Sequence, residues 1–279
     1  MKTGTERKRV LVIGIDGATL DIIEAMQVKG ELPVLSHMMK EGSSGILTSV
    51  IPPLSPPAWS TFLTGKNPGK HGIYHFLRHP YATTNASRFT FYNHQALKAP
   101  SLPELLRNSS LRVGLVNVCP TYPPFPLNGF MISGMDAPSE TVEYTYPPEL
   151  KRELAAQGIA YQIDYNQQAK LRDFFFGGEQ KICEAYLAIE RKRAEAAHYL
   201  MTTKPWDLFI VVFNLPDRIH HLAWQYQTLT DGSSPPASAL VEAVPDAYRL
   251  MDDLVGKLKA EQTEDTYVLV LSDHGYCST

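Results

Sequence analysis

Carboxylate and imidazole side chains follow three short apolar runs of this 279-residue sequence. They are Asp16 after the run 10–15, Asp217 and His221 after the run 207–213, and Asp273 and His274 after the run 266–271. Divalent ions such as zinc take imidazole nitrogen and carboxylate oxygen as ligands. A helix cap or a turn accounts for any one of these residues alone, but their recurrence after three predicted strands favours a metal site.

The spacing within two of these groups supports the same interpretation. Asp217 and His221 are four residues apart, so a helix presents both on one face, where they can chelate a single ion. Asp273 and His274 are adjacent, which suits a loop at a strand end from which both side chains reach one centre. These pairs strengthen the prediction of a metal site.

Ser55 is the candidate nucleophile. It lies in the stretch LSPPAWSTFLTG (54–65), where a serine followed by prolines predicts a helix start with Ser55 as the N-cap. A helix N-terminus also stabilises negative charge, and a neighbouring divalent cation makes an alkoxide accessible. The role of a cap and that of a metal-activated nucleophile are compatible.

The elements that must position these residues alternate between strands and helices. Strands are predicted at 10–15, 112–118, 129–133, 207–213 and 266–271, and helices at 19–28, 33–41, 57–64, 101–108, 178–201 and 237–260. Most of the strands are apolar on both faces, which is typical of parallel strands covered by helices. The pattern predicts an α/β fold, a three-layer sandwich around a mostly parallel central sheet. Ligands bind such a sheet beyond the carboxyl ends of its strands.

Two regions depart from this alternation. Residues 74–100 are rich in His, Tyr, Asn and Thr and are interpreted as a surface excursion. Residues 136–201 combine prolines, charges and a phenylalanine cluster with the long helical pattern, and we interpret them as a mainly helical cap or insertion. The α/β core then consists of residues 1–135 and 202–279.

The composition limits the classes of partner. A formal net charge of −3 gives no support for nucleic-acid binding, and no run approaches the ~18 apolar residues of a membrane span. The three cysteines are far apart and odd in number, which favours a reducing cytoplasm over a disulfide framework. We therefore expect a cytoplasmic protein without nucleic-acid or membrane partners. Nothing in the sequence indicates its oligomeric state.

Several segments together resemble a known family. They are VLVIGIDGAT (10–19), IPPLSPPAWSTFLTGKNPGKHGIYHF (51–76), NVCPTYPPFPLNGFMISGMDAPS (117–139), NLPDRIHHLAW (214–224) and LSDHG (271–275). The second and the last are specific in combination. The sequence resembles the alkaline phosphatase superfamily, especially its type I phosphodiesterase/nucleotide pyrophosphatase branch and the phosphohydrolase/phosphomutase-like members. The predicted fold is accordingly alkaline phosphatase-like.

The resemblance implies a phosphotransfer centre with two divalent ions, zinc first and manganese as the alternative. It assigns Asp16, Ser55, Asp273 and His274 to one ion and Asp217 and His221 to the other. Ser55 would attack phosphorus in line and form a covalent intermediate that water hydrolyses, while the ions stabilise the attacking and leaving oxygens.

The sequence departs from the family pattern at three points. The second ion of the family normally has a further histidine ligand downstream of the S-D-H-G loop, and these 279 residues contain none there, so we expect them to be a fragment or a shortened version of a longer protein. Ala58 stands where the nucleotide pyrophosphatases have asparagine, which argues against nucleotide substrates. Trp59 replaces the arginine of the sulfatase motif, which argues against a sulfatase.

The predicted function is a metal-dependent phosphoester hydrolase with a phosphorylated small-molecule substrate, preferring diesters or pyrophosphate-like bonds. Lys66 and Arg218 are candidate donors to the substrate phosphate, although solvated surface positions explain them equally well. Two alternatives stay open: a phosphomutase on the same core, and a non-catalytic remnant that binds a metal or a phosphorylated ligand.

Overall fold

Six strands form the central sheet of the structure, a computed structural model that describes residues 8–78, 90–165, 178–226 and 240–277. The strands are β1 (Arg9–Ile15), β4 (Val113–Val118), β5 (Gly129–Ser133), β6 (Thr145–Tyr146), β7 (Leu208–Phe213) and β8 (Thr266–Leu271), and a separate hairpin pairs β2 (Leu77–Arg78) with β3 (Thr90–Phe91). The order across the sheet is β6-β5-β4-β7-β1-β8. Among the described strands of this sheet, only β6 runs antiparallel to its neighbour. The predicted mostly parallel sheet is confirmed.

The register of the sheet places three strand ends side by side. Ile15 of β1 is opposite Phe213 of β7, and Gly14 of β1 is opposite Leu271 of β8. The residues that follow these strands therefore emerge next to one another. The backbone N–H of Asp16 continues the pairing by donating to the carbonyl of Phe213 at 2.8 Å.

Helices cover both faces of the sheet. They are α1 (Leu20–Val28), α2 (Pro33–Glu41), α3 (Ser55–Thr64), α4 (Pro68–His71), α5 (Leu102–Leu106), α6 (Leu150–Ala156), α7 (Gly178–Thr203), α8 (Leu215–Ala223) and α9 (Ala243–Ala260). The larger core lies on the face of α1, α2, α7, α8 and α9, and α3 closes the smaller core on the other face through Trp59 and Leu63. The three-layer α/β sandwich is thereby confirmed.

The start of α3 differs in detail from the prediction. The helix begins at Ser55 itself, and Leu54 is the N-cap residue, so the prediction of Ser55 as the N-cap was wrong by one position. Pro56 and Pro57 occupy the first turn, where no intrahelical N–H is needed. Since Ser55 does not cap the helix, its hydroxyl is available for other contacts. The helix ends at Gly65, whose φ of 63° is the left-handed conformation that favours glycine.

Residues 136–201, the predicted cap or insertion, take part in the layers just described. They contribute β6 to the edge of the sheet and α7 to the larger core. Residues 166–177 lie outside the described residues. The division of the chain into a core and a cap stays a prediction.

The helix predicted over 237–260 begins at Ala243 within the described part of the chain, and residues 237–239 lie outside it. Pro245 is therefore in the first turn of α9, where its missing N–H breaks no intrahelical hydrogen bond and the helix is not kinked by it. None of the helices in the described ranges is long and apolar enough to cross a membrane. The cytoplasmic location stays a prediction.

Candidate metal centre and nucleophile

Four predicted site residues meet where β1 and β8 end and α3 begins. Ser55 Oγ lies 3.1 Å from Asp16 Oδ1 and 3.1 Å from His274 Nε2. The same His274 nitrogen lies 3.5 Å from Asp16 Oδ1 and 3.4 Å from Asp273 Oδ2. The fold thus gathers a hydroxyl, two carboxylates and an imidazole from residues more than 200 positions apart in sequence.

The predicted second pair lies on α8, next to this group. His221 Nε2 is 3.4 Å from Asp217 Oδ1, as the spacing of four residues predicts for one helical face. Asp217 borders the first group, because its backbone N–H donates to the Asp16 carbonyl at 3.1 Å. Ligand atoms of Asp16, Asp217 and His274 lie within 4.8 Å of one another and could hold a metal ion.

Burial makes the three carboxyl groups of the cluster interact strongly. Asp16, Asp217 and Asp273 are only 1%, 7% and 8% exposed. Burial and the charge of Asp217 raise the pKa of Asp16, and burial and the charge of Asp16 raise the pKa of Asp273. Burial also disfavours ionisation of Asp217, but its hydrogen bond to His221 and nearby positive charges outweigh this and lower its pKa. A cation would relieve the repulsion within this cluster.

The atoms around His274 fit a positively charged ligand. Asp273 Oδ1 accepts the Gly17 backbone N–H at 3.2 Å, whereas its buried Oδ2 accepts no hydrogen bond from the residues that the structure describes. An orphaned buried carboxylate oxygen is costly. His274 Nδ1 donates to the Gly275 carbonyl at 2.9 Å, and because a carbonyl can only accept, Nε2 keeps its lone pair for a ligand.

Ser55 has the surroundings of a nucleophile. It is 2% exposed and begins α3, at the positive end of the helix dipole. Its hydroxyl has two acceptors in reach, Asp16 Oδ1 and His274 Nε2. Developing negative charge on Oγ is therefore favoured by the helix and by acceptors that can take its proton.

The two predicted phosphate donors lie in different places. Arg218 is on α8, beside the carboxylate cluster, and its Nη2 donates to Asp164 Oδ2 at 2.7 Å. Its buried Nε has no hydrogen-bond partner among the described residues. Lys66 is exposed and follows the C-terminal end of α3, about 15 Å along the helix from Ser55. The structure brings Arg218 to the cluster and does not bring Lys66 there.

Three side chains at the site had no predicted role. Trp59 and Asn214 hydrogen-bond Asp16 Oδ2, and the Tyr276 hydroxyl is 3.1 Å from His221 Nδ1. Asn214 follows β7 as Asp16 follows β1, and this parallel position is the one sequence signal that could have found it. Trp59 and Tyr276 carry no comparable signal.

The chain is similar to known proteins both in sequence and in fold. A family model described as "Type I phosphodiesterase / nucleotide pyrophosphatase" matches residues 10–279. No curated protein sequence matches the chain significantly. Two solved structures of phosphonoacetate hydrolase from Sinorhizobium meliloti 1021, with phosphonoacetate and with phosphonoformate, match it with TM-scores of 0.64 and 0.63 at 15% and 16% identity. Each match covers 96% of this chain and 57% of that chain.

A third solved structure, the 2-O GAG sulfatase BT1596, matches with a TM-score of 0.55 at 12% identity, over 97% of this chain and 58% of that one. The fold is that of the alkaline phosphatase superfamily. Within it, the chain belongs to the type I phosphodiesterase/nucleotide pyrophosphatase family. The chain spans less than two thirds of the length of the solved proteins it matches.

Proposed function

We propose that this chain hydrolyses phosphoesters, preferring diesters or pyrophosphate-like bonds, with Ser55 as the nucleophile. The observation that carries the proposal is the position of Ser55 Oγ, at the start of α3 and 3.1 Å from both Asp16 Oδ1 and His274 Nε2. Membership of the phosphodiesterase family supports the class of reaction.

The same proposal includes two divalent ions, with zinc preferred and manganese as the alternative. Asp16, Ser55, Asp273 and His274 would hold one ion, and Asp217 and His221 would contribute to the other. The orphaned Asp273 Oδ2 and the buried carboxylates fit a cation. When bound, such ions supply positive charge that stabilises the attacking and leaving oxygens of an in-line displacement.

The chain itself supplies the nucleophile. The Ser55 hydroxyl donates to Asp16 Oδ1; because Asp16 and His274 would both be metal ligands, the proton of Ser55 passes to water and leaves an oxygen lone pair for phosphorus. Attack forms a bond between Ser55 Oγ and phosphorus and breaks the bond from phosphorus to the leaving oxygen, which takes a proton from water and departs as an alcohol. Water then cleaves the Ser55 ester and returns the hydroxyl.

Arg218 is the proposed contact for a phosphoryl oxygen. Asp164 holds one end of its guanidinium at 2.7 Å, and the buried Nε has no partner among the described residues. A guanidinium that is oriented in this way can donate a charge-assisted hydrogen bond to an anionic substrate. Lys66, at the far end of α3, is not part of this proposed contact.

The test compares Ser55→Ala with Ser60→Ala on the zinc-loaded protein. Ser60 lies on the same helix and is equally buried, and its hydroxyl donates to the Pro56 carbonyl at 2.6 Å rather than to the cluster. We expect Ser55→Ala to lower the hydrolysis rate of bis(p-nitrophenyl) phosphate at least about a thousandfold, and Ser60→Ala to leave the rate nearly unchanged. Equal rates in the two variants would exclude Ser55 as the nucleophile.

The choice of substrate separates the proposal from its alternatives. A phosphate diester, a phosphosugar as the phosphate monoester, and phosphonoacetate, the ligand in one of the matching solved structures, are assayed side by side. The proposal predicts the highest kcat/KM for the diester. Isomerised phosphosugar without free phosphate would point to the phosphomutase. Zinc binding without turnover of any of these substrates would favour the non-catalytic alternative.

A further inference from the structure

One indole N–H and one side-chain amide N–H donate to the same oxygen of Asp16. Trp59 Nε1 donates to Asp16 Oδ2 at 3.1 Å, and Asn214 Nδ2 donates to the same oxygen at 2.8 Å. The other oxygen, Oδ1, faces Ser55 and His274. The two oxygens of one carboxylate therefore have separate environments, one occupied by neutral donors and one directed at the candidate metal centre.

The orientation of the Asn214 amide is fixed by its neighbours. Its Oδ1 accepts from Asn117 Nδ2 at 2.5 Å, and Asn117 Nδ2 also donates to the Val212 carbonyl at 2.7 Å. Because Asn214 Oδ1 is committed as an acceptor, Nδ2 must be the group that faces Asp16. The backbone N–H of Asn214 donates to Glu190 Oε1 at 3.0 Å, which ties the residue to α7.

The Trp59 indole is fixed by packing. Trp59 is fully buried in the smaller core, and its ring lies against Gly14 of β1. A Cβ added to Gly14 would be 2.4 Å from Trp59 Cη2, so the indole occupies the space that a side chain at this position would need. The ring cannot rotate away from Asp16 without meeting the sheet.

We propose that Trp59 and Asn214 are positioning residues that hold Asp16 Oδ2, so that Asp16 offers Oδ1 alone to Ser55 and to a cation. This inference rests on the proposed function, since it assigns a role in metal binding at the same site. Donors that orient a ligating carboxylate affect metal affinity without touching the ion. Loss of either donor frees the carboxylate to rotate and weakens its preorganisation for the cation.

Each donor has a matched control elsewhere in the chain. Trp206 is also buried, and its indole N–H donates to the Met201 carbonyl at 2.9 Å. The Asn128 amide donates to the carbonyls of Ser109 and Leu111 at 3.0 and 2.9 Å. Substitutions at these control positions remove the same groups from the structure but leave Asp16 untouched.

The experiment measures the zinc dissociation constant by competition with a chromophoric chelator, well below the unfolding temperature of each variant. We expect Trp59→Phe and Asn214→Ala each to bind zinc about 10–100-fold more weakly than the unmodified protein, and Trp206→Phe and Asn128→Ala to bind it within about twofold. Unfolding in the presence of chelator shows that a variant folds. If Trp59→Phe does not fold, Asn214→Ala decides alone.

The outcomes separate this inference from the proposed function. If the unmodified protein binds zinc, but both site variants bind it as tightly as the controls do, the positioning role is overturned and the metal centre stands. If the unmodified protein binds no more zinc than Asp16→Ala does, the proposed metal centre fails and the positioning role fails with it. Weak binding confined to the two site variants supports both.

Discussion

Replacing Asp16 by asparagine should change stability in opposite directions without and with metal. In the metal-free protein, burial and the charge of Asp217 raise the pKa of Asp16, so its ionised form destabilises the fold at neutral pH. The asparagine amide can keep its oxygen toward Trp59 and Asn214 and donate its NH₂ toward Ser55 Oγ. The substitution therefore removes the charge and keeps the hydrogen-bonding pattern.

The magnitude follows from the separation of the charges. Ligand atoms of Asp16 and Asp217 lie within 4.8 Å, where two like unit charges repel by about 3.5 kcal/mol at an effective dielectric constant of about 20. Arg218 offsets part of this repulsion. We expect Asp16→Asn to stabilise the metal-free protein by about 1–3 kcal/mol, a rise in Tm of about 2–10 °C for a chain of this size.

The assay is thermal unfolding with chelator and with zinc, at several pH values. In chelator, the advantage of Asp16→Asn should shrink as the pH falls, because protonation of Asp16 in the unmodified protein removes the same charge. With zinc at about 1,000-fold its dissociation constant, the unmodified protein gains about 4.1 kcal/mol, and the variant should gain so much less that it becomes the less stable of the two. Asp253→Asn, at an exposed ion pair with Lys257, is the control and should shift Tm by less than about 2 °C. A Tm of Asp16→Asn below that of the unmodified protein in chelator would contradict this prediction.

Three further predictions concern the surroundings of the site. Tyr276→Phe removes the hydroxyl 3.1 Å from His221 Nδ1 and should weaken the binding of one zinc ion several-fold in a calorimetric titration, whereas unchanged affinities would exclude this contact. Arg193→Leu leaves the buried carboxylate of Glu190 without its positively charged partner and should cost about 3–5 kcal/mol in urea unfolding; Glu190→Leu in addition should recover only part of this loss, because it removes the acceptor of the Asn214 N–H. Gly17→Ala should lower the free energy of unfolding by about 1–3 kcal/mol, because Gly17 has φ +71° and an added Cβ would lie 2.9 Å from the backbone of α8. A loss of less than about 0.5 kcal/mol in urea unfolding would contradict this prediction.

Most of the sheet could be predicted because each of its long strands is a continuous apolar run. β4 and β7 are covered on both faces, and their residues are apolar except for Asn117 of β4, whereas β6 has only two residues, Thr145 and Tyr146, and no pattern of its own. β6 forms by pairing with the edge of β5 that β4 does not occupy. Pairing of so short a strand is decided by tertiary contacts, so the sequence did not predict it.

The sequence indicates which residues meet at the candidate site for a topological reason. Parallel strands end at one edge of the sheet, so residues that follow β1, β7 and β8 share that edge, and the neighbouring positions of β7, β1 and β8 in the sheet bring them together. The hydrogen-bond partners of those residues depend on the order and on the packing. Asp16 contacts Trp59, 43 positions away in sequence, and Asn214, 198 positions away. No helical or strand periodicity links residues at such separations, so the sequence pattern does not predict these contacts.

The strand order explains why Asp16 contacts side chains from several different elements at once. β1 lies between β7 and β8, so the residue after it has Asn214 on one side and the Asp273–His274 loop on the other, with α3 above the sheet. A carboxylate at this central position can bind donors with one oxygen and serve a cation with the other. Asp273 follows β8 and has one donor, the Gly17 N–H at its Oδ1, where Asp16 has two at its Oδ2, and Asp217 lies within α8. If the metal centre has one ligand whose orientation the fold determines, the topology predicts that it is Asp16.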